Sequence, residues 1–220
     1  MEDSRLSNLP VDVREQLVRV AVSLFVVKGF DRTTTRELSK ALGWSIGRLY
    51  QYGKTKDDLI GLLVDFVNEK DYTIGDYADR IIDGLDPIEA VRVVLRLHII
   101  NTDQYQDLYK FMAHITLNLD KDARRKLFTG SRALKDNYVK LIERGIKLGE
   151  FTTDNAELVA YNMFNVASWA TRRWLFDRHY SLEEYIEGQT DNILKQLGVE
   201  YSKRKTKICC ADEHTEEGTK

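Results

Sequence analysis

Between Thr33 and Lys56 the chain places hydroxyl, guanidinium and ammonium groups at spacings suited to gripping a polyanion. Thr33, Thr34 and Thr35 open a short helical segment, and hydroxyls and free amides at a helix N-terminus can hold phosphate oxygens. Lys56 stands at the start of a later helix and can do the same. Arg48 carries a guanidinium that can bond guanine O6 and N7 together, and Gln51 can read adenine or touch phosphate. Ser45, Ile46 and Gly47 share the exposed side of that segment, where Gly47 lets the backbone come close to a groove; Arg36 adds a backbone contact. From Lys28 to Lys56 seven basic residues face two acidic ones, a local +5 on a chain of net charge −2, which leaves about −7 for the rest. A basic segment on an acidic body is the footprint of a protein that docks on phosphates at one end.

The elements that position these groups are short helices. Thr34 and Glu37 have the spacing of a capping box. Leu38, Ala41 and Leu42 follow at helical spacing, and Gly43 suits a left-handed helix end. Ser45 then caps a second helix with Ile46, Leu49 and Tyr50 on its inward face. This is a helix-turn-helix, whose second helix would enter a major groove. Capped helix pairs around a glycine also occur in proteins that never touch DNA; the charge pattern separates the two cases.

The rest of the chain also reads with a helical period. Its 220 residues are 43% hydrophobic with only 2 Pro, so an all-α fold of about nine helices is expected. A first helix covers Val11 to Lys28, and Thr55 with Asp58 caps a fourth that Gly75 and Gly84 should loosen. Asp86 and Pro87 open a fifth. A sixth spans about Asp107–Leu119, a seventh Lys121–Leu148, an eighth runs from the Thr153–Asp154 region to about Phe176, and a ninth starts at the Ser181–Glu184 box and ends before Gly198. The polar stretch from 202, with its KRKTK run and the adjacent Cys209 and Cys210, should be a disordered tail. No apolar run is long enough for a bilayer and no leader pattern is visible, which predicts a cytoplasmic protein. Neither paired carboxylates, nor a nucleophile with its base, nor a glycine-rich phosphate loop stands out, so no enzyme, cofactor or metal site is expected. A helical protein-interaction module is the other class to weigh.

The segments A-V-S-L-F-V-V-K-G-F (Ala21–Phe30), Thr33–Thr35, G-W-S-I-G-R-L-Y-Q-Y (Gly43–Tyr52) and T-K-D-D-L (Thr55–Leu59) together resemble the DNA-binding domain of the TetR (tetracycline-repressor-like) transcriptional regulators. The resemblance covers about fifty residues. It departs at Gly53, where the family usually has Phe, and at Trp44, where it has a small aliphatic residue; Trp44 would then alter which bases or sugars are touched. Tyr50 and Tyr52 match positions that often donate to the DNA backbone, with packing as the alternative for Tyr50. The resemblance implies residues 1–56 as a DNA-binding domain and 57–200 as a ligand-binding and dimerisation domain, with 201–220 as the tail. It implies a repressor that binds an inverted-repeat operator as a homodimer and is released by a small-molecule effector.

The last two helices carry broad apolar faces suited to a four-helix dimer bundle, and the resemblance implies the same region. The interface residues are then Ala160, Ala167, Thr171, Trp174, Tyr185, Ile186 and Ile193; the alternative is intramolecular core. The family also implies an effector pocket inside the fifth to eighth helices. Its candidate lining is Leu97, Ile100, Tyr105, Tyr109, Phe111, Met112, Ile115, Tyr138, Ile142, Phe164 and Trp169, with ordinary core packing as the alternative. The segment from Ala167 to Leu194 resembles members that respond to acyl-CoA thioesters. Arg172, Arg173 and Arg178 would there meet a phosphorylated carrier, or else pair with Asp177, Glu183 and Glu184. A hydrophobic drug, as in efflux-pump regulators, is the other effector class.

Overall fold

The computed structural model describes residues 10–82, 84–119, 121–169 and 180–200, apart from the side chains of Ile82, Asn118 and Trp169. Among these residues there are ten α-helices, one 3-10 turn and no strand. The helices are α1 (Val11–Lys28), α2 (Thr35–Leu42), α3 (Ile46–Tyr50), α4 (Lys56–Ile82), α5 (Pro87–Gln104), α6 (Gln106–Ile115), α7 (Lys121–Leu127), α8 (Thr129–Lys147), α9 (Ala156–Trp169) and α10 (Leu182–Gln196). The N-terminal arm, Thr171, Arg172, Arg173, Trp174, Arg178 and the tail with Cys209 and Cys210 lie outside the described residues.

Local chemistry sets most helix ends. The Thr55 hydroxyl accepts from the Asp58 amide at 3.1 Å, and the Asp58 carboxylate accepts from the amides of Thr55 and Lys54. Asp86 accepts from the amides of Ile88 and Glu89 and so caps α5, with Pro87 in its first turn. The Ser181–Glu184 box opens α10.

Two expectations fail here. Gly75 does not loosen α4, which runs unbroken for 27 residues. A Cβ at Gly75 would stand 2.7 Å from Asn137 Nδ2 of α8, so this glycine serves close helix packing. The expected seventh helix is two, broken at Phe128. Asn68 of α4 takes up the backbone groups at the break: its Nδ2 donates to the Lys126 carbonyl at 2.9 Å, and its Oδ1 accepts from the Gly130 amide at 2.7 Å. Gly130 must lack a side chain there, because a Cβ would come within 2.9 Å of the Asn68 backbone.

Two apolar clusters result. The first joins α1–α3 and the first half of α4 to Leu108, Phe111, Met112 and Ile115 of α6 and Leu127 of α7. The second joins the C-terminal part of α4 to α5 and α8–α10 around Leu95, Tyr138, Leu141, Met163 and Ile193. α4 runs through both, and α6 brings residues from beyond position 57 into the core beneath the helix-turn-helix.

Candidate nucleic-acid interface and effector region

The α2–α3 turn is closed by its own polar groups. Thr34 Oγ1 accepts from the Glu37 amide at 3.2 Å, and Glu37 Oε2 accepts from the Thr34 amide at 2.9 Å. Lys28 bonds the same carboxylate and, with the Thr34 amide and hydroxyl, holds it down to about 2. Gly43 takes φ +67°, its amide turned back to the Lys40 carbonyl, and the Trp44 amide bonds Ser39 O at 2.9 Å. Ser39, buried, returns its hydroxyl to the Trp44 carbonyl. Ser45 Oγ then accepts from the Arg48 amide and starts α3.

α3 is anchored by Leu49, which is fully buried. Ser45, Gly47, Arg48, Tyr50 and Gln51 are exposed, as are Thr34 and Arg36, while Ile46, Thr35 and Tyr52 are half-buried. Tyr50 therefore does not sit on the inward face with Leu49; it points outward with the reading residues. The carbon of the Arg48 guanidinium lies 4.3 Å from the Trp44 ring centroid, a cation–π stack. Trp44 itself is buried in the first cluster with Tyr52 beside it at 5.8 Å between ring centroids. So Trp44 is a platform beneath Arg48, with most of its own surface covered.

Two other expected phosphate ligands are structurally committed. Thr33 is buried, and its hydroxyl donates to the Gly29 carbonyl at 2.9 Å. Lys56 Nζ donates to the carbonyls of Phe30 and Asp31 at 2.9 and 2.8 Å and lies 4.8 Å from the Phe30 centroid. It ties the start of α4 to the α1–α2 turn, with two of its three protons used. Gly53, the departure from the family's usual Phe, is buried; a Cβ would meet Asp58 and Leu59 at 3.1 Å.

The residues expected to line an effector pocket do not come together. Leu97 and Ile100 are exposed on the outer side of α5. Tyr105, Phe111, Met112 and Ile115 pack into the first cluster, whereas Tyr138, Ile142 and Phe164 belong to the second. The Trp169 side chain lies outside the described residues. Phe111 and Ile115 face a cleft of about 1170 Å³ between α1, α4, α6 and α7.

A polar network lies between the clusters. Asp71 of α4 accepts from Ser131 Oγ at 2.7 Å, and Asn101 Nδ2 donates to the Tyr109 hydroxyl at 3.1 Å. Burial raises the Asp71 carboxyl to about 6, against the opposing pull of Ser131 and Tyr109. Its Oδ1 is buried and forms no hydrogen bond of normal geometry. His98 Nδ1 lies 2.7 Å from the Tyr138 hydroxyl, and burial depresses the imidazole to about 3, so it is neutral.

Two family models match the chain: "Bacterial regulatory proteins, tetR family" over residues 17–63, and "Tetracyclin repressor-like, C-terminal domain" over residues 84–197. The chain belongs to the TetR family. Its relatives include the HTH-type transcriptional regulator HbdR of Aromatoleum sp. (strain CIB), 28% identical over 177 residues, 79% of this chain and 76% of HbdR. The HTH-type transcriptional repressor KstR2 of Rhodococcus jostii (strain RHA1) is 25% identical over 169 residues, 73% of this chain and 78% of KstR2. The fold matches that of AibR, solved in complex with isovaleryl coenzyme A and operator DNA, with a TM-score of 0.63 at 15% identity over 82% of this chain and 97% of AibR.

This TetR-family chain is thus a DNA-binding transcriptional regulator by family. Its expected dimer residues need correction. Ala160, Ala167, Ile186 and Ile193 are buried in the protomer's own second cluster, and Tyr185, half-buried, donates its hydroxyl to the Val166 carbonyl at 2.7 Å. An apolar stripe looks the same in sequence whether it meets its own domain or a second copy. Among the described side chains of α9, the apolar ones that remain exposed are Leu158 and Tyr161, more than half accessible each. No helix of the described residues is long and apolar enough to cross a membrane. Asn68 and Asp71 were missed as organising residues, although two polar side chains at positions that continue the helical spacing of the apolar stripe Leu59–Val67 were a visible signal.

Proposed function

We propose that this TetR-family regulator is a repressor that binds an inverted-repeat operator as a homodimer and leaves it when a small apolar effector binds. The observation that carries the reading is α3: an outward face of Ser45, Gly47, Arg48 and Gln51, with Arg48 held over Trp44 at 4.3 Å. A stacked guanidinium keeps its bonding edge free for guanine, and prior ordering lowers the entropy cost of that contact. Thr34, Thr35, Arg36, Tyr50 and Tyr52 flank it as candidate backbone contacts. Residues 1–56 form the DNA-binding domain in this reading and 57–200 the effector and dimerisation domain. The dimer face is the exposed side of α9, with Leu158 and Tyr161.

KstR2 is a repressor and AibR binds isovaleryl coenzyme A and operator DNA, which supports repression and an acyl-CoA thioester as the effector class. Fluorescence polarisation with the DNA flanking the protein's own coding region, titrated with a panel of acyl-CoAs, tests both halves. A tenfold loss of operator affinity with the dimer intact is the expected result, equivalent to ~1.4 kcal/mol of coupling. Arg48→Ala should cost about 2 kcal/mol per half-site and relax preference at one symmetric pair of positions. An unchanged consensus from random DNA selected with that variant removes base readout by Arg48.

A further inference from the structure

We propose that the cleft between α1, α4, α6 and α7 is a small-molecule site for a compound with a flat aromatic body and one anionic group, and that its occupant acts on the helix-turn-helix directly. This rests on the regulator reading above and adds a second signal, of another chemistry and at its own place. The cleft, about 1170 Å³, is ample for a ligand of several rings. Its floor is aromatic. Phe25 of α1 meets Phe30 edge-on at 5.1 Å between centroids and stacks on Phe111 of α6 at 5.2 Å. Rings recruit rings in stacked or edge-on geometry, so a flat aromatic body fits this floor.

The walls differ in charge. The ionisable lining residues contributed by α6 and α7 are Lys110, His114 and Lys126, with no carboxylate among them. The opposite wall contributes Asp31 and Asp57 along with Arg32. An anionic group is therefore drawn to the α6–α7 side and repelled from much of the other. Asp65 holds Lys126 at 2.9 Å, and Asp107 and Gln106 hold Lys110 at 3.6 and 2.9 Å; both lysines line the cleft, and an anion there competes with these partners.

Gly61 adds room to the cleft. It stands inside α4 and lines the cleft, and a Cβ there would meet nothing within 4 Å. Gly75 and Gly130 are glycines because a neighbour occupies the space of a side chain; Gly61 leaves its space open. Glycine weakens a helix interior, so an open one facing a cleft fits a ligand's need for room. The position gives the consequence. Phe30 belongs to the α1–α2 turn, whose carbonyls hold Lys56 and which leads within four residues to the Thr34 cap. Phe30 and Phe111 already touch, at 6.4 Å between centroids, so a ring laid against the pair presses on that turn and displaces α2–α3 from the setting read by DNA.

The probes are 1-anilinonaphthalene-8-sulfonate, an aromatic anion, and its uncharged analogue N-phenyl-1-naphthylamine, titrated into the full-length protein by fluorescence. The sulfonate should bind saturably at one site per protomer, at least tenfold tighter than the neutral analogue. Gly61→Phe, which fills the cleft from a half-buried helical position with open space beside it, should lower sulfonate affinity at least tenfold while operator binding persists. Lys110→Gln with Lys126→Gln should erase the preference for the anion. The sulfonate should weaken operator binding by wild type, and operator should weaken sulfonate binding by the same factor. Undiminished sulfonate binding by a folded Gly61→Phe overturns the site, and equal affinity for the two probes overturns the anionic class. Sulfonate binding that leaves operator affinity unchanged overturns the action on the helix-turn-helix. Failure of the wild type to bind any flanking DNA would instead remove the regulator reading, and the cleft titrations would stand or fall separately.

Discussion

The helix-turn-helix and the α4–α8 seam are built by opposite means. In the first, the decisive bonds join residues three to five apart: Thr34 with Glu37, Ser45 with Arg48, Ser39 with Trp44. In the second they join residues 58 to 62 apart: Asn68 with Lys126 and Gly130, and Asp71 with Ser131. The first unit is shaped locally. The second fixes the long helix to its neighbours.

The largest expected effect breaks the seam. Asn68→Ala leaves the Gly130 amide and the Lys126 carbonyl without their partner in a buried region, at about 4 kcal/mol for the two groups together. Urea unfolding reads this directly, and a loss below about 1 kcal/mol would mean that the break at Phe128 does not depend on α4.

Next comes the pH response of the same seam. Burial lifts the Asp71 carboxyl from 3.8 to about 6. Below 3.8 it is protonated in folded and unfolded chains alike, and it takes nothing from stability. Between 3.8 and about 6 the unfolded chain releases a proton that the folded chain keeps, so stability from this group falls as pH rises, by up to ~3 kcal/mol. Asp71→Asn lacks this slope. Its stability relative to wild type should climb between pH 4 and 6.5, then level off; a constant difference across that range would show that the carboxyl is not raised.

The smallest effect sharpens the contrast from the other side. Lys56→Met removes two bonds to the α1–α2 turn and should cost about 1–2 kcal/mol of stability. Because those bonds occupy the ammonium, the salt dependence of operator binding should hardly change. A drop of ~0.9 per half-site in the slope of log affinity against log salt would restore Lys56 as a phosphate ligand.

The same division explains what could be read from the sequence. The Thr34–Glu37 box, Gly43 and the Ser45 cap were legible because each signal and its partner lie within one turn of chain. The all-α fold followed from periodicity. Gly75 was misread because its partner, Asn137, is on another helix, and the break at Phe128 was invisible because Asn68 lies far away in sequence. Lys56 and Thr33 have the right chemistry for phosphate, but their hydrogen bonds go to backbone carbonyls brought close by folding. Ala160, Ala167, Ile186 and Ile193 show that an apolar stripe does not name its partner.

The clamp on α4 also fixes an arm length. Lys56 lies twelve positions before Asn68, so at ~1.5 Å per residue the end of α4 that carries the helix-turn-helix reaches about 18 Å beyond the clamp. A tilt of about 5° about Asn68 would swing that end by ~1.6 Å. In a two-fold dimer the displacements oppose each other, so the separation of the two α3 helices would change by ~3 Å against the ~34 Å that successive major grooves demand. In the dimer proposed above, a rotation of about 5° would therefore put two reading heads out of step with one turn of DNA.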